Sequence, residues 1–447
     1  MSAADKHFVF LNTIYSQQVA GQRERYQQAL QLFRSLYGEG EVHIFRAPGR
    51  VNLIGEHTDY NHGFVMPVAL DRDTVVLARA RADSQLHLSN VEAEFEICQF
   101  EITENIPLAP NNHWSNYARG VAQHLKHRLS RPIKGADLLV VAEAPWGVPR
   151  GAGLSSSSSL TIAIMLALTE LNGWTGSTAE QVQLASDAEW YVGTRGGIMD
   201  HYISLEGQKN HALFLDCRPV AGSYQSQPIP LSEGYDLLII NSGVKHQNVG
   251  GGYNWRVAAC RAGVGLLKAQ FPEITHLRDV QSVPWEVLEP HLPEKQLVSE
   301  LTAQGTDLDD IPTLVPEAVL EVRAKCRHVH SENERVQGAI EAMYQGNVTR
   351  LGQLLSAAHL SARDDYDISC AELELLQSFL QKQEAVLGSR LTGAGWGGCM
   401  VALSKRESSQ ELARAVQAYY HEATGIVAET FVCQASQGAG LLTTLTV

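Results

Sequence analysis

No stretch of this chain approaches the ~18 consecutive apolar residues that a membrane span requires, so the sequence predicts a protein that stays out of the bilayer. The first residues, Met1 to His7, show no basic region followed by an apolar core, which argues against a secretory leader and makes the cytoplasm the expected compartment. Cysteine is scarce. The seven (Cys98, Cys217, Cys260, Cys326, Cys370, Cys399, Cys433) are odd in number, scattered, and never spaced Cys-x-x-Cys, so neither a disulfide framework nor a zinc site follows. Positive charge is also in deficit, 35 Lys and Arg against 49 Asp and Glu, for a formal net charge of -14. Such a surface repels polyanions, and nucleic acid is not an expected partner. A small polyphosphate is still allowed where backbone N–H groups and a metal ion supply local positive potential. There is no internal repeat, and Ser155 to Ser159 is the only low-complexity run.

At 447 residues the chain is long for one domain, and a prior of about 150 residues per domain suggests two lobes or more. Residues 7–37 carry apolar positions at helical spacing (Phe8, Leu11, Ile14, Tyr15, then Tyr26, Leu30 and Leu32 to Leu36) until Gly38-Glu39-Gly40, which predicts an N-terminal helical segment within 1–40. From Val42 to about Cys98 the pattern is β-rich. A helix near Trp114 to Leu125 and a buried strand at Ala136 to Ala142 follow. Leu160 to Leu168 is apolar on every side and predicts a core helix that begins among the serines. Another helix spans roughly Thr178 to Tyr191, and the strand His211 to Cys217 completes an N-terminal domain over 41–218. Pro, Ser, Gly and Gln gather at 218–233, the expected boundary. A second domain over 233–447 opens with the strand Tyr235 to Ile240, continues with helices in 254–270, 316–346 and 348–386, and closes with strands near Met400 to Leu403 and Ile426 to Val432. Strands and helices mixed in this order read as α+β.

Three elements carry chemistry. Arg46-Ala47-Pro48-Gly49-Arg50-Val51-Asn52-Leu53-Ile54-Gly55-Glu56-His57-Thr58-Asp59-Tyr60 sets two arginines, two carboxylates and a histidine on a turning backbone, a donor and acceptor density suited to a polyol. Pro149-Arg150-Gly151-Ala152-Gly153-Leu154-Ser155-Ser156-Ser157 lies between a buried strand and a buried helix, where a flexible linker has no place. Its glycines allow close backbone approach, and the helix start aims unpaired N–H groups at an anion, most naturally a phosphate chain. No Gly-Lys-Ser/Thr follows, so it is not a Walker loop. The third element is Gly388-Ser389-Arg390-Leu391-Thr392-Gly393-Ala394-Gly395-Trp396-Gly397-Gly398-Cys399, a glycine turn that reads as architectural. Separately, Asp200 follows Gly196-Gly197-Ile198-Met199, a setting that can hold a carboxylate beside a ligand as a general base.

Together these elements resemble, in matching order from about Phe45 to Ala402, the galactokinase branch of the GHMP small-molecule kinases. The resemblance implies a two-lobed α+β GHMP kinase fold of mixed sheets and helices with the active site between the lobes, and an ATP-dependent phosphorylation of galactose at its C1 hydroxyl. It implies Asp200 as base with Arg50 beside it. Glu56, His57, Asp59, Gly197 and Tyr253 carry over as sugar contacts. Gly151, Ala152, Gly153, Leu154, Ser155, Ser156 and Ser157 carry over as the nucleotide loop, with Trp114 on the adenine side. Ser157 and Glu189 carry over as ligands of Mg²⁺, a hard cation that takes most of its shell from phosphate and water. A monomer acting on sugar and ATP alone is expected. The spacing from Glu189 to Gly193, the Gly388 to Cys399 run and Arg327 to Glu332 resemble the N-acetylgalactosamine kinase and fungal galactokinase branch, so N-acetylgalactosamine or another hexose is the alternative substrate. A catalytically silent galactose and ATP sensor is a third reading, disfavoured by the full serine loop. His201, where glutamine is common, and Gly250-Gly251-Gly252 depart from the family pattern near the sugar.

Overall fold

The structure is a computed structural model that describes residues 8–15, 19–110, 113–129, 131–193, 197–245, 252–308, 311 and 314–447. The chain forms two compact units that interleave in sequence. The first comprises Met1–Arg50, Val68–Ala212 and Gln434–Val447, the second Val51–Pro67 and Leu213–Cys433. A single linear boundary at 218–233 therefore describes the chain incompletely: the carboxyl-terminal segment joins the first unit because it pairs as a strand there, and 51–67 joins the second.

In the first unit the sheet runs in the order Gly440–Thr446, Glu41–Ile54, Phe64–Ala80, Ala136–Val141, Gln85–Asn90, Cys98–Glu101, counting the parts of Glu41–Ile54 and Phe64–Ala80 that belong to it. Glu41 to Arg46 pair antiparallel with Thr446 to Gly440, and Leu86 to Asn90 run parallel to Ala136 to Val140. One apolar layer includes Val76, Leu138 and the helices Asn116–Arg128, Ser156–Leu171 and Thr178–Val192. The expected core helix is there: Ile162, Ala163, Ile164 and Met165 are all fully buried, as an all-apolar helix must be.

The N-terminal segment is two helices, Leu11–Ile14 and Val19–Tyr37, rather than one. Tyr15 ends the first in an extended conformation and donates its hydroxyl to Asp73 Oδ2 at 2.7 Å. Asp73 is completely buried. Arg25 Nη1 donates to its Oδ1 at 2.8 Å and Arg46 Nε to its Oδ2. Arg46 also donates to Gln437 O and to Ser436 Oγ. Burial alone would raise the Asp73 pKa, but the charges of Arg46 and Arg25 outweigh it and hold the carboxyl below its ordinary range. The first arginine of the polyol-like stretch is thus consumed by the framework. A second apolar layer, with Phe8, Leu11, Tyr26, Phe33, Val75 and Leu139, seats these helices.

The second unit is built on a four-stranded antiparallel sheet ordered Val386–Thr392, Gly397–Lys405, Tyr235–Lys245, Glu429–Cys433. Its core gathers Leu238, Ile240, Ala259, Val329, Leu376 and Met400 from this sheet and from the helices Gly252–Leu267, Val322–Tyr344 and Ala371–Leu380. The glycine element forms the expected hairpin, with Thr392 opposite Cys399. The helix Ser409–Thr424 and the strand Gly440–Thr446 have no counterpart in the sequence reading. All seven cysteines are free, five of them buried. Among the described residues no helix is long and apolar enough to cross a membrane.

Candidate active site

The phosphate-type loop is a chain of tight turns in the first unit. Gly151 and Gly153 take φ of 69° and 73° and Ser155 takes 60°, a left-handed sequence that only glycine adopts without cost. Ala152 and Leu154 point inward and are buried, while the glycines are exposed. Leu154 O accepts from Arg50 N at 3.1 Å, tying the loop to the first motif. The helix Ser156–Leu171 starts with Ser155 as its N-cap residue, yet the Ser155 side chain does not cap it. Its hydroxyl donates instead to Asp200 Oδ2 at 2.5 Å. The first N–H groups of the helix are therefore left without the usual capping oxygen, and an anion is the natural replacement.

Arg50 and Asp200, 150 positions apart, form a bidentate pair in this unit: Nε donates to Oδ1 at 2.7 Å and Nη2 to Oδ2 at 2.9 Å. The third guanidinium nitrogen donates to Gly153 O. Arg50 is nearly buried, whereas the Asp200 side chain keeps 23% of its surface. Asp200 is the second residue of the helix Met199–Glu206, whose N-terminal end favours negative charge. Among the described residues Oδ1 accepts one hydrogen bond and Oδ2 two, so a carboxylate with about four acceptor positions has capacity left for a proton-bearing ligand. Gly197 is exposed and lies just before this helix.

Glu189, on Thr178–Val192, is 2% exposed. Its Oε1 has no hydrogen-bond partner among the described residues and lies 3.5 Å from Nε2 of the equally buried His201. Ser157 is half-buried in the first turn of its helix, and its backbone carbonyl accepts from Thr161 Oγ1 at 2.9 Å. No group of three or more His, Cys, Asp or Glu placed to hold a metal occurs among the described residues. A site of one carboxylate and one hydroxyl would not form such a group. Trp114 packs edge-on against Phe95 with centroids 5.5 Å apart and donates Nε1–H to Glu96 O. Residues 194–196 and Gly250-Gly251 lie outside the described residues.

In the second unit, Glu56 is 4% exposed and accepts from Arg390 Nη2 through Oε2 at 2.9 Å. The backbone beneath it is bolted down: Gly55 N and Glu56 N both donate to Glu332 Oε1, at 2.9 and 3.2 Å, and Glu56 O contacts His328 Nε2 at 3.1 Å. His57 takes φ of 60°. Its ring is held at both nitrogens, Nε2 to Ala394 O at 3.2 Å and Nδ1 to Tyr60 Oη at 2.9 Å. Because a carbonyl can only accept, Nε2 carries the hydrogen and Nδ1 accepts. Burial, then the nearby His328, push the His57 pKa down to about 3, so the ring is neutral. The Tyr253 ring packs against His57 and Tyr60 at 5.6 and 5.5 Å. Asp59 opens the short helix Asp59–Asn61 and is half-buried. Arg390, Glu332, Tyr60 and Tyr366 were given no role from sequence; Arg390, Tyr60 and Glu332 lie inside the runs 388–399, 46–60 and 327–332, where a signal could have found them, whereas Tyr366 lies in none.

Residues 31–80 match the galactokinase galactose-binding signature, 116–208 the GHMP kinases N terminal domain and 339–422 the GHMP kinases C terminal model. Over 91% of its length the chain is 40% identical to a galactokinase of Chloroflexus aggregans, covering 95% of that protein. Over 94% of its length it is 37% identical to a galactokinase of Roseiflexus sp., covering 96%. Among solved structures, the galactokinase of Lactococcus lactis complexed with galactose aligns at a TM-score of 0.76 and 32% identity, covering 93% of this chain and 99% of that one. A mevalonate kinase, 16% identical with a TM-score of 0.59 over 88% of this chain and 99% of its own, shares the fold.

Proposed function

Because the chain belongs to the galactokinase family of GHMP kinases, we propose that its reaction is transfer of the γ-phosphoryl group of ATP to the C1 hydroxyl of galactose, giving α-galactose 1-phosphate. The observation that carries the chemistry is the Arg50–Asp200 pair beside the uncapped start of the serine helix. Asp200 takes the proton of the attacking hydroxyl through its remaining acceptor capacity. General-base help of this kind contributes about 10² to 10⁴ in rate. Arg50 fixes the plane of that carboxylate and offsets negative charge on the transferring group. The phosphates lie against the backbone of Gly151 to Ser157, and the adenine lies toward Trp114. Glu56, Asp59, Gly197 and Tyr253 read the sugar, and His57 contributes through the position of its backbone, both ring nitrogens being engaged within the protein.

Mg²⁺ fits the residues present, since Glu189 offers a buried carboxylate oxygen without a hydrogen-bond partner among the described residues and Ser157 a hydroxyl at the helix start. When bound with ATP it would neutralise phosphate charge. On this reading the enzyme works as a monomer in the cytoplasm, on small molecules alone.

The spacing from Glu189 to Gly193 favours N-acetylgalactosamine as the rival substrate. Measuring ATP consumption with each sugar separates the two: faster turnover of galactose is expected, and faster turnover of the acetylated sugar would overturn the assignment. Tight binding of galactose and ATP with no sugar phosphate formed would instead make the protein a sensor.

A further inference from the structure

The ring of His57 stands at the end of a directional hydrogen-bond chain. Since His57 Nδ1 accepts, Tyr60 Oη donates to it. Tyr60 Oη then accepts from Tyr366 Oη at 2.7 Å, and Tyr366 Oη in turn is within 3.4 Å of Cys260 Sγ, which is left to donate. Tyr366 is completely buried and Cys260 2% exposed, so water is excluded from that end of the chain, while Tyr60 between them and His57 is half-buried.

The same turn that carries Tyr366 also holds the glycine hairpin. Ile368 O accepts from Trp396 N at 2.7 Å. Gly395, at φ 88°, approaches so closely that a Cβ there would lie 2.3 Å from Ile368 O. Ala394 O, one residue before it, receives the Nε2–H of His57. Arg256 closes the frame from the helix that bears Tyr253, donating to Tyr366 O at 3.0 Å and lying over the Trp396 ring at 4.9 Å. The loop bearing Glu56, His57 and Asp59 is thus clamped at the His57 ring between two elements that both register on residues 366–368.

We propose that Tyr366 is a positioning residue for sugar recognition, acting through Tyr60 and His57, and that the glycine hairpin is the other jaw of the same clamp. This rests on the galactokinase reading of the site. Tyr366→Phe keeps the ring and removes one hydroxyl, leaving Tyr60 to reorient. Loss of one buried partner of this kind predicts a rise of about five- to tenfold in KM for galactose, with kcat and KM for ATP unchanged. Tyr60→Phe should give a similar rise, and the double variant no more than the larger single effect, because both break one chain. Nitrogen NMR of His57 supplies a readout that mere destabilisation would not move: the Nε2–H tautomer, fixed by Ala394 O, is retained throughout, while the Nδ1 resonance shifts toward that of a free acceptor in either variant. An unchanged galactose KM in folded Tyr366→Phe, additive effects in the double variant, or kcat falling together with a raised KM for ATP would overturn the proposal. If Tyr366→Phe does not fold, Tyr60→Phe tests the same link. A native enzyme that phosphorylates no galactose would defeat the functional reading instead, leaving the NMR result to judge the clamp.

Discussion

Glu332 holds the backbone at Gly55 and Glu56, and removing its charge has a calculable effect. Its carboxylate is fully buried. It accepts from Gly55 N and Glu56 N on one oxygen and from Arg335 Nε at 2.6 Å on the other. Burial raises its pKa, but the charges of Arg335, Arg390 and His328 outweigh that and bring it from the ordinary 4.5 to about 2. Each unit of depression corresponds to about 1.4 kcal/mol, so ionised Glu332 contributes about 3 kcal/mol at neutral pH. The contribution is complete above the unfolded value and fades as pH falls from about 4.5 toward about 2. Glu332→Gln keeps one acceptor for the two loop N–H groups and loses the charge. The variant should be about 3 kcal/mol less stable at pH 7, and the gap should narrow by roughly 1 kcal/mol by pH 4. Urea midpoints read from the chain's tryptophan fluorescence at several pH values would show it. Midpoints are preferable to one extrapolated free energy in a chain of two units. A gap that stays constant between pH 7 and pH 4 would mean that the charge of Glu332 does not stabilise the fold, and the electrostatic account of this loop would fail.

Asp200→Asn should lower the phosphorylation rate by about 10² to 10⁴ while galactose still binds, as calorimetry would report; near-native turnover would remove Asp200 as the base. Ser157→Ala and Glu189→Ala should each raise the Mg²⁺ concentration for half-maximal rate with little change in galactose affinity, and wild-type behaviour of Glu189→Ala across that titration would withdraw Glu189 as a ligand. Asp73→Ala strands two buried arginines and should destabilise the first unit by about 3–5 kcal/mol, read as a large fall in thermal midpoint; a fall of only a degree or two would refute the buried-pair account.

Local patterning carried what is local. The all-apolar run Leu160 to Leu168 announced a buried helix, and the change from Gly and Ser to apolar residues announced its N-terminus, because such patterns are written in consecutive residues. Long-range pairing was not legible. Arg46 and Arg50 look alike in sequence, yet one is spent on Asp73, Ser436 and Gln437 and the other meets Asp200. Only the partners tell them apart, and those lie far along the chain. The same holds for His57, whose neighbours in sequence suggest a sugar ligand but whose ring nitrogens are claimed by Tyr60 and by Ala394, a residue 337 positions away. The glycines of the third motif were visible as a turn; the guanidinium of Arg390 on Glu56 was not.

The interleaving of the two units sets an order of events during synthesis. Residues 213–433, nearly all of the second unit, leave the ribosome before the strand Gly440–Thr446 that completes the first unit's sheet beside Glu41 to Arg46. Until Ser436 and Gln437 emerge, Arg46 lacks two of its hydrogen-bond acceptors, so the first unit stays without its last strand to the end of synthesis. Neither unit corresponds to one continuous stretch of gene. A cut near residue 213 would leave an amino-terminal fragment with an open sheet edge at Glu41 to Arg46 and a carboxyl-terminal fragment without the loop that bears Glu56.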